Sequence, residues 1–590
     1  MKYRIRILAT LLVLCLLAGL AACGKKPAGE PLFAERDELE RASLGDYAPA
    51  KDAKAVREAL TAAGQTRAAE LDREEAEVEP GLDLELSKPP EGDVVVTDGA
   101  YIYMLDSYGL IIFSVAGKDS EPLSYTKIQR GGASWSEAMY LAGDRMAVVY
   151  TADEADSAAA DSAAVHTVLL DLSDRRAPKK LTETALEGKQ VGACLLDGAL
   201  VLVTQKSWLT LPKEDEELLP KLWEDGKELS LKPGELYLSP EPAKPAVTLT
   251  AALRMEDGRI LDALAFTDGV EAVCLRDGEI CLSRTLWTET ASAPRQEAPY
   301  TVVDYSTTAR TELKCLRLEG TLRLTGGCVL EGALSDPAAL DPRGELLRIV
   351  TDADSRSFSS YTDEAHGWTN YEIHSHSRGS ALAVLDAGLE SLGALTSLGG
   401  TRGIGACCFV GDTAWFSAAG SRSAVYTADL SDPAKPVMTE SFPVQGERLL
   451  LRAFGEGLVL GLVSPEAGEP WNLVMYDLSD PAHPREADSL SLKSRVPASE
   501  LSDPAALFTD AANCLLGFPV SGSNGNEYLL VRWTGSQLKQ KGTLALEYVP
   551  ANARGLLLDG LLYICSPPGE IYVADPETMT VLATVSNAAG

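Results

Sequence analysis

The feature that most constrains this chain is a long series of short apolar runs separated by turns. From Asp93 onward, runs rich in Val, Leu, Ile and Tyr alternate with segments rich in Gly, Asp and Pro. Runs of roughly four to eight residues with such boundaries are typical of β-strands. Examples are AYIYML (100–105), RMAVVYT (145–151) and YLLVRW (528–533). A strand series of this length favours a closed repeat architecture, because closure leaves few exposed sheet edges.

A sequence repeat is visible within this series. Residues 425–436 read VYTADLSDPAKP and residues 473–484 read LVMYDLSDPAHP, and a weaker copy, VLLDLSDRRAP, occupies residues 168–178. A period of about 40–50 residues with about four strands per unit indicates a propeller. We therefore predict an all-β chain with a single β-propeller of about eight four-stranded blades. Seven or nine blades are also compatible with the interruptions, and a short helical or tether segment precedes the propeller.

The DLSDP segments predict structural turns after a strand. Asp432 and Asp480 can accept a hydrogen bond from their own backbone in an Asx turn, and Pro433 and Pro481 preset φ for the next turn position. The strand–turn–strand position recurs in each copy, so we interpret these residues as part of the fold and not of a binding site.

The first residues predict export and lipid attachment. Lys2, Arg4 and Arg6 precede an apolar run, and Leu20, Ala21 and Ala22 then precede Cys23. A basic start, a short apolar core and small residues before a cleavage site are typical of a signal peptide. This arrangement resembles the lipobox of bacterial lipoproteins, which implies acylation of Cys23 after cleavage. An ordinary secretory signal with an incidental cysteine is the alternative.

Three segments follow from these patterns. They are a lipoprotein signal peptide (1–22), a lipid anchor with a tether and one or two helices (23–91), and the propeller (92–590). Helical patterns cover residues 32–43 and 51–77, but the apolar stripe of the second is too thin to bury a core alone. The expected location is extracytoplasmic, with the chain anchored to the cell membrane by its N-terminal lipid.

The charge of the chain limits its partners. The formal net charge is −33, and a strongly acidic chain is repelled by phosphates, so nucleic acid is excluded as an expected partner. Nine cysteines remain after Cys15 and Cys23, without a CxxC pair, and most lie in apolar runs. They are interpreted as small core residues, and no disulfide framework is indicated.

Several longer stretches resemble secreted bacterial and archaeal proteins with a β-propeller domain, a family distantly similar to WD40 propellers. The matching stretches are GDVVVTDGAYIYML (92–105), AVCLRDGEICL (272–282), LKCLRLEGTLRLTGGCVLEG (313–332), GELLRIVTDAD (344–354) and WNLVMYDLSDPAHPREADSLSL (471–492) with DPAALFTDAANCLLGFPV (503–520). The resemblance implies a fold and a secreted location. It implies no reaction, and no catalytic residue transfers to this chain.

The sequence contains little that indicates catalysis. GxSxG, HExxH and GxxxxGK[ST] are absent, and no cofactor is expected. His366, His374 and His376 lie in one polar segment, where an HxH pair on a strand places both rings on one face. A metal site there and an exposed polar loop are the two interpretations, and the second is preferred.

Two long interruptions of the strand series, 206–245 and 352–379, are the candidate recognition segments. Loops of this length in compact domains are usually functional or disordered. They carry residue types that anchor interfaces, namely Trp208, Trp223, Tyr361, Trp368 and Tyr371. These aromatics either bind a partner or pin the segments to the disc. A binding or scaffold module with a protein or peptide partner is the leading hypothesis, ahead of a surface hydrolase or lyase and a sensor module.

The lipoprotein hypothesis gives the first testable prediction. Replacing Cys23 with Ser removes the thiol that would be acylated, so the variant should leave the membrane fraction. Membrane partitioning and intact-mass analysis of the mature chain measure this. Wild type without lipid mass, together with a Ser variant that still partitions wholly with membranes, would contradict the hypothesis.

Overall fold

The structure is a computed structural model in which only part of the chain is described. The described residues are 47–71, 83–86, 92–106, 108–128, 134–153, 163–334, 337–352, 355–377, 379–398, 404–418, 424–439, 442–444, 446–464, 470–493, 495–498, 503–522, 525–567 and 569–587. Cys23, the preceding Leu20, Ala21 and Ala22, and the helix predicted over 32–43 lie outside them.

Three short elements precede the first blade. They are β1 (Ala48–Pro49), α1 (Ala53–Leu71) and β2 (Asp83–Leu86). The helix lies within the helical pattern at 51–77, and the Asp52 carboxylate accepts a 2.8 Å hydrogen bond from the Ala55 N–H at its start. No helix among the described residues combines the length and the apolar character that a membrane crossing needs.

The first three blades contain strands β3 to β17. Blade 1 consists of β3 (Val95–Thr97), β4 (Tyr101–Leu105), β5 (Gly109–Ser114) and β6 (Pro122–Lys127). Blade 2 consists of β7 (Ser134–Ala142), β8 (Arg145–Asp153), β9 (Ala163–Asp171) and β10 (Lys179–Glu187), extended by β13 (Lys221–Glu224) and β14 (Lys227–Ser230). Blade 3 consists of β11 (Lys189–Leu196), β12 (Ala199–Ser207), β16 (Ala246–Arg254) and β17 (Ile260–Phe266), extended by β15 (Leu236–Leu238) and β1.

Blades 4 to 6 contain strands β18 to β34. Blade 4 consists of β18 (Ala272–Arg276), β19 (Glu279–Ala291), β21 (Tyr300–Leu318) and β22 (Leu322–Glu331), extended by β20 (Arg295–Glu297), β26 (Ser355–Asp363) and β27 (Trp368–Ser377). Blade 5 consists of β23 (Ala333–Leu334), β24 (Leu340–Arg343), β25 (Leu346–Asp352), β28 (Ser380–Leu385) and β29 (Ser391–Leu398). Blade 6 consists of β30 (Ile404–Val410), β31 (Thr413–Ala418), β32 (Ala424–Asp429), β33 (Val437–Met438) and β34 (Phe442–Pro443).

Blades 7 to 9 contain the remaining strands. Blade 7 consists of β35 (Arg448–Ala453), β36 (Leu458–Ser464), β37 (Asn472–Asp477) and β38 (Arg485–Ser491), with β2 added beside β35. Blade 8 consists of β39 (Val496–Pro497), β40 (Phe508–Asp510), β41 (Leu515–Gly522), β42 (Gly525–Trp533) and β43 (Leu538–Ala545). Blade 9 consists of β44 (Arg554–Leu558), β45 (Leu561–Ser566), β46 (Glu570–Asp575) and β47 (Thr580–Ser586).

Apolar contacts between consecutive blades close these sheets into a ring. Each of the nine buried clusters in the described residues combines side chains of two neighbouring blades. The last cluster joins Tyr563 and Val573 of blade 9 to Ile102 and Ile111 of blade 1. The prediction of an all-β propeller is confirmed. The described residues form nine sheets, the upper end of the predicted range.

Asp-Gly pairs make several of the tight turns between the strands within a blade. Asp197–Gly198, Asp277–Gly278 and Asp559–Gly560 each join two antiparallel strands, and all six residues have positive φ. Two consecutive positive φ values define the two-residue hairpin turn whose twist matches the strands, and Asp-Gly is among its preferred sequences. The sequence thus determines the register of these hairpins locally.

The sequence suggested that the two long interruptions are loops without strands, but both contain strands. Residues 206–245 contribute β13, β14 and β15 to the sheets of blades 2 and 3. Residues 352–379 form the β26–β27 hairpin, which pairs with β21 of blade 4. Alternation of side chains in both segments was hidden by their many polar residues, so hydrophobic patterning alone did not reveal the strands.

The DLSDP segments form the expected local turns. The carboxylate of Asp432 accepts a 3.1 Å hydrogen bond from the Ala434 N–H, and that of Asp480 accepts a 3.2 Å bond from the Ala482 N–H. Pro433 and Pro481 occupy the position between each donor and acceptor. All of these contacts are local.

The N-terminal segment is held by a buried polar cluster between blades 3 and 4. The Tyr47 hydroxyl donates to Glu312 and accepts from Lys314 Nζ at 3.0 Å and from Arg284 at 3.1 Å. Arg284 also pairs with Asp268 and with Glu312. The Arg284 guanidinium thus lies between two carboxylates, and such pairing is the condition under which buried ions are tolerated.

Aromatic rings and backbone pairing complete the attachment of this segment. Lys314 Nζ lies 4.9 Å from the centroid of the Tyr47 ring and 5.0 Å from that of Phe266. β1 pairs with β15, and Val56 and Leu60 of α1 are fully buried against blades 2 and 3. The segment is therefore packed on the propeller from Tyr47 through the first turns of α1.

The DLSDP turns predict a modest and local contribution to stability. Asp432→Ala should lower the free energy of unfolding by about 1 kcal/mol, since one side-chain-to-backbone hydrogen bond is lost. Urea unfolding measures this change, and Asp432→Asn is the matched control because it keeps an oxygen acceptor. Loss of a ligand by the Ala variant at unchanged stability would assign the turn to function instead.

The buried lysine predicts a pH-dependent stability. Burial lowers the pKa of Lys314 from its ordinary 10.5 to about 7. Between these values the unfolded chain binds a proton that the folded chain lacks, so this group makes stability rise with pH. The free energy of unfolding of wild type minus that of Lys314→Met should therefore become more positive from pH 7 to pH 9.5. This interval lies below the pH range in which Tyr47 ionises in the folded chain.

Urea titrations across this pH range provide the measurement. Lys118→Met is the control, because the Lys118 side chain is 74% exposed. A difference between wild type and Lys314→Met that stays constant or decreases with pH would show that Lys314 remains protonated throughout.

Candidate functional site

The most distinctive surface is a sheet that extends blade 4 beyond the disc. β19 and β21 continue past their partners in the blade, with 13 and 19 residues. The second half of β21 pairs with β22. Its first half pairs with β26, which lies in the chain between two strands of blade 5 but joins the sheet of blade 4. β27 then forms the edge of this sheet. Two distant segments, 285–308 and 355–377, thus build one surface.

One face of this extension carries a cross-strand aromatic row. Tyr305 lies opposite Phe358, and their rings stack with centroids 4.9 Å apart at an angle of 13°. Tyr371 packs against Phe358 at 6.0 Å in an edge-to-face arrangement. Tyr371 is 38% exposed and the neighbouring Ile373 53%. We call Tyr305, Phe358, Tyr371 and Ile373 the aromatic face.

The opposite face carries a second group of rings. Tyr300 packs edge-to-face on Tyr361 at 6.1 Å and on Trp368 at 5.6 Å. Trp368 is 44% exposed. Such pairs contribute about 0.5–1.5 kcal/mol beyond their buried area, so the rings hold the hairpin rigid while leaving part of Trp368 and Tyr371 to solvent.

A polar group on this second face has the composition of a catalytic triad but a different arrangement. Ser359 donates its hydroxyl proton to Asp304, and His374 Nε2 lies 2.5 Å from the same hydroxyl oxygen. A serine hydroxyl has one proton, so the imidazole must donate here. In a triad the imidazole accepts the serine proton and the carboxylate binds the other ring nitrogen. The arrangement does not activate Ser359.

Electrostatics around Asp304 support the same interpretation. The Arg295 guanidinium, followed by the Ser359 hydroxyl, holds the pKa of Asp304 below its usual range. The carboxylate is therefore ionised at neutral pH and acts as a hydrogen-bond acceptor. This network orients the side chains of β21, β26 and β27 relative to one another.

The histidines for which the sequence left a metal site open lie at different positions of the hairpin. His366 Nδ1 lies 2.8 Å from the Asp363 carboxylate at the hairpin tip, and His374 contacts Ser359. The side chain of His376 lies outside the described residues. Within the described part of the chain, no group of three or more His, Cys, Asp and Glu residues is arranged to hold a metal ion.

The first insertion forms a second surface on blade 2. A cavity of about 460 Å³ is lined by His166, Lys180, Glu183 and Trp223, among others. The His166 ring stacks on Tyr150 with centroids 5.1 Å apart at an angle of 7°. Trp208 is only 9% exposed and belongs to the core between blades 2 and 3. Trp208 therefore pins the insertion to the disc.

Sequence reasoning missed the first half of the extension. TVVDYSTTARTELKCLRL (301–318) alternates over a length that far exceeds one blade strand. That length was the available signal, because strands in globular proteins usually span about 3–10 residues. The pairing of its first half with a segment some 55 residues later could not be read from local pattern.

The comparison with family models agrees with the fold. The sequence profile of the family described as Beta propeller domain matches residues 90–579. No curated protein matches the chain. Among solved structures, the crystal structure of Citrobacter koseri AztD is 13% identical, with 58% of this chain and 92% of that chain covered and a TM-score of 0.25.

Proposed function

The chain belongs to the beta propeller domain family, and from this premise we propose that it is a non-catalytic binding module whose blade 4 extension captures an extended polypeptide segment. The partner would be an envelope or extracellular protein. The observation that supports the proposal most strongly is the exposed edge strand β27 with partly exposed aromatic side chains on both of its faces.

The edge position of β27 favours strand addition. Among the described strands, β27 pairs with β26 alone. A sheet edge presents backbone N–H and C=O groups that an extended peptide can pair with. Long edge strands with exposed apolar side chains are normally avoided in monomeric proteins, because they invite pairing. Retaining Trp368, Tyr371 and Ile373 on such an edge is the composition expected of a binding site.

Aromatic anchors would supply specificity to this pairing. Side chains of an added strand alternate between the two faces of the sheet. One set would contact Tyr371 and Ile373, and the other would contact Trp368. Trp and Tyr are enriched among the residues that dominate interface energies. The rigid packing of these rings on Tyr300 and Phe358 limits the entropy lost on binding.

The charge of the chain narrows the chemistry of the partner. With a net charge of −33, association is accelerated for a basic segment and retarded for an acidic one. Glu297, Glu364 and Glu372 lie on the extension itself. The proposed ligand is therefore an extended segment with basic side chains.

The location of the module is part of the proposal. Support for lipid attachment at Cys23 comes from the basic–apolar leader and the small residues before the cysteine. Acylation would hold the propeller close to a membrane surface through its N-terminal segment. A hydrolase or lyase remains the alternative from the sequence, and the Ser359 hydrogen bonds speak against it because the hydroxyl proton is committed to Asp304.

Site-specific photocrosslinking in intact cells tests this function. A benzophenone amino acid at Ile373 should crosslink to a short basic segment of one protein. The same group at Leu209, which lies in the first insertion (206–245) and is 85% exposed, should not crosslink to it. Replacing Trp368 and Tyr371 with Ala in that chain should reduce the yield roughly 30-fold or more, the effect of losing a hot spot of about 2 kcal/mol.

Tyr548→Ala is the matched control, because Tyr548 is 52% exposed on a different part of the ring. Its crosslinking yield should equal that of wild type. Equal yields from the Trp368/Tyr371 double variant, or crosslinks spread equally over Ile373 and Leu209, would exclude the extension as the binding surface. Melting temperatures of all variants establish that the fold is retained.

A further inference from the structure

Four cysteines lie on one face of blade 4, one on each of its four blade strands. Cys274 is on β18, Cys281 on β19, Cys315 on β21 and Cys328 on β22. Cys274 is directly opposite Cys281, and Cys281 is directly opposite Cys315. Opposite residues of antiparallel strands project to the same side of the sheet. The thiols therefore form a row, and this row faces blade 5.

Cys281 and Cys315 have the geometry of a reduced disulfide pair. Their Sγ atoms are 2.7 Å apart, and both side chains are buried. Directly opposite residues of antiparallel strands have Cα atoms about 4.5–5.5 Å apart. Disulfides span Cα separations of about 4.4–6.8 Å, so a bond between these sulfurs needs no change in strand register.

We propose that Cys281 and Cys315 are a thiol–disulfide site, which closes to a cross-strand disulfide when the chain meets a small external disulfide. Cys274 is the exchange thiol. It is partly exposed, whereas Cys281 and Cys315 are nearly inaccessible. Cys274 lies directly opposite Cys281 on the neighbouring strand, which places its partly exposed sulfur beside the buried pair.

The exchange proceeds in three successive thiol–disulfide steps. The Cys274 thiolate attacks one sulfur of the external disulfide, and the first external thiol leaves. Cys281 then attacks Cys274 Sγ and displaces the second external thiol. Cys315 finally attacks Cys281 Sγ, and the Cys274 thiol is regenerated. One external disulfide is reduced to two thiols while two cysteine thiols are oxidised to one disulfide, with protons passing to the leaving sulfurs.

The surroundings keep both buried thiols protonated at neutral pH. The neighbouring Cys274 thiol raises the pKa of Cys281, and the hydrogen bond to Cys281, followed by burial, raises the pKa of Cys315. Only thiolates attack disulfides, so exchange should accelerate with increasing pH. The new bond would join β19 to β21, the two strands that continue into the blade 4 extension with its aromatic face.

Peptide mapping of the full chain tests the proposal. The purified protein is incubated with glutathione disulfide, alkylated and digested with trypsin, which separates all four cysteines into different peptides because basic residues lie between them. We expect a Cys281–Cys315 linked peptide, formed faster at pH 9 than at pH 7. Cys274→Ser should slow its formation about tenfold or more, and Cys565→Ser, a buried thiol of blade 9, should leave the rate unchanged.

The wild-type result does not depend on how well any variant folds. Linked peptides absent from the folded protein, or found only after denaturation, would overturn the proposal. Linkage of Cys281 to Cys315 at an unchanged rate in Cys274→Ser would overturn the relay through Cys274. Near-ultraviolet circular dichroism before alkylation verifies that each sample is folded.

Discussion

Closure of the ring between blade 9 and blade 1 is the constraint on which the rest of the structure depends. A propeller blade buries its faces only against its two neighbours, so a ring that fails to close exposes two apolar faces. Here blades 1 and 9 share no strand among the described residues, and closure rests on the apolar contact between them. Arg554 on the first strand of blade 9 reinforces it with a two-pronged ion pair to Asp93, at 2.7 and 2.8 Å, and a third bond to Asp503.

The N-terminal segment adds contacts between blades that the strand repeat does not supply. β1 and α1 cover blades 2 and 3, Tyr47 enters the polar cluster at blades 3 and 4, and β2 pairs in parallel with β35 of blade 7. Blades far apart in the ring thereby each contact the described residues of this segment, 47–71 and 83–86.

The candidate binding surface shows how a repeat fold acquires an individual site. The blade itself uses its polar residues for turns, as in Asp432 and Asp480. The insertion after β25 and the lengthened β19 and β21 instead form a sheet outside the repeat, where Trp368, Tyr371 and Ile373 stay partly exposed. The same strands place Cys281 and Cys315 at the base of this sheet, so the proposed redox site and the candidate binding surface share a backbone.

The sequence by itself determined the features that depend on neighbouring residues. Alternating strands, Asp-Gly hairpins, the Asx turns at DLSDP and the helix near residue 53 follow from local stereochemistry, and their periodicity determined the propeller class. Only the tertiary structure decided which distant segments meet. The pairing of β21 with β26, the contact of Tyr47 with Glu312 across 265 residues and the register that opposes Cys281 to Cys315 depend on strand order and ring closure. Tertiary contacts also decided the exposure of the two tryptophans in the polar insertions. Trp208 is buried in the core, whereas Trp368 is exposed.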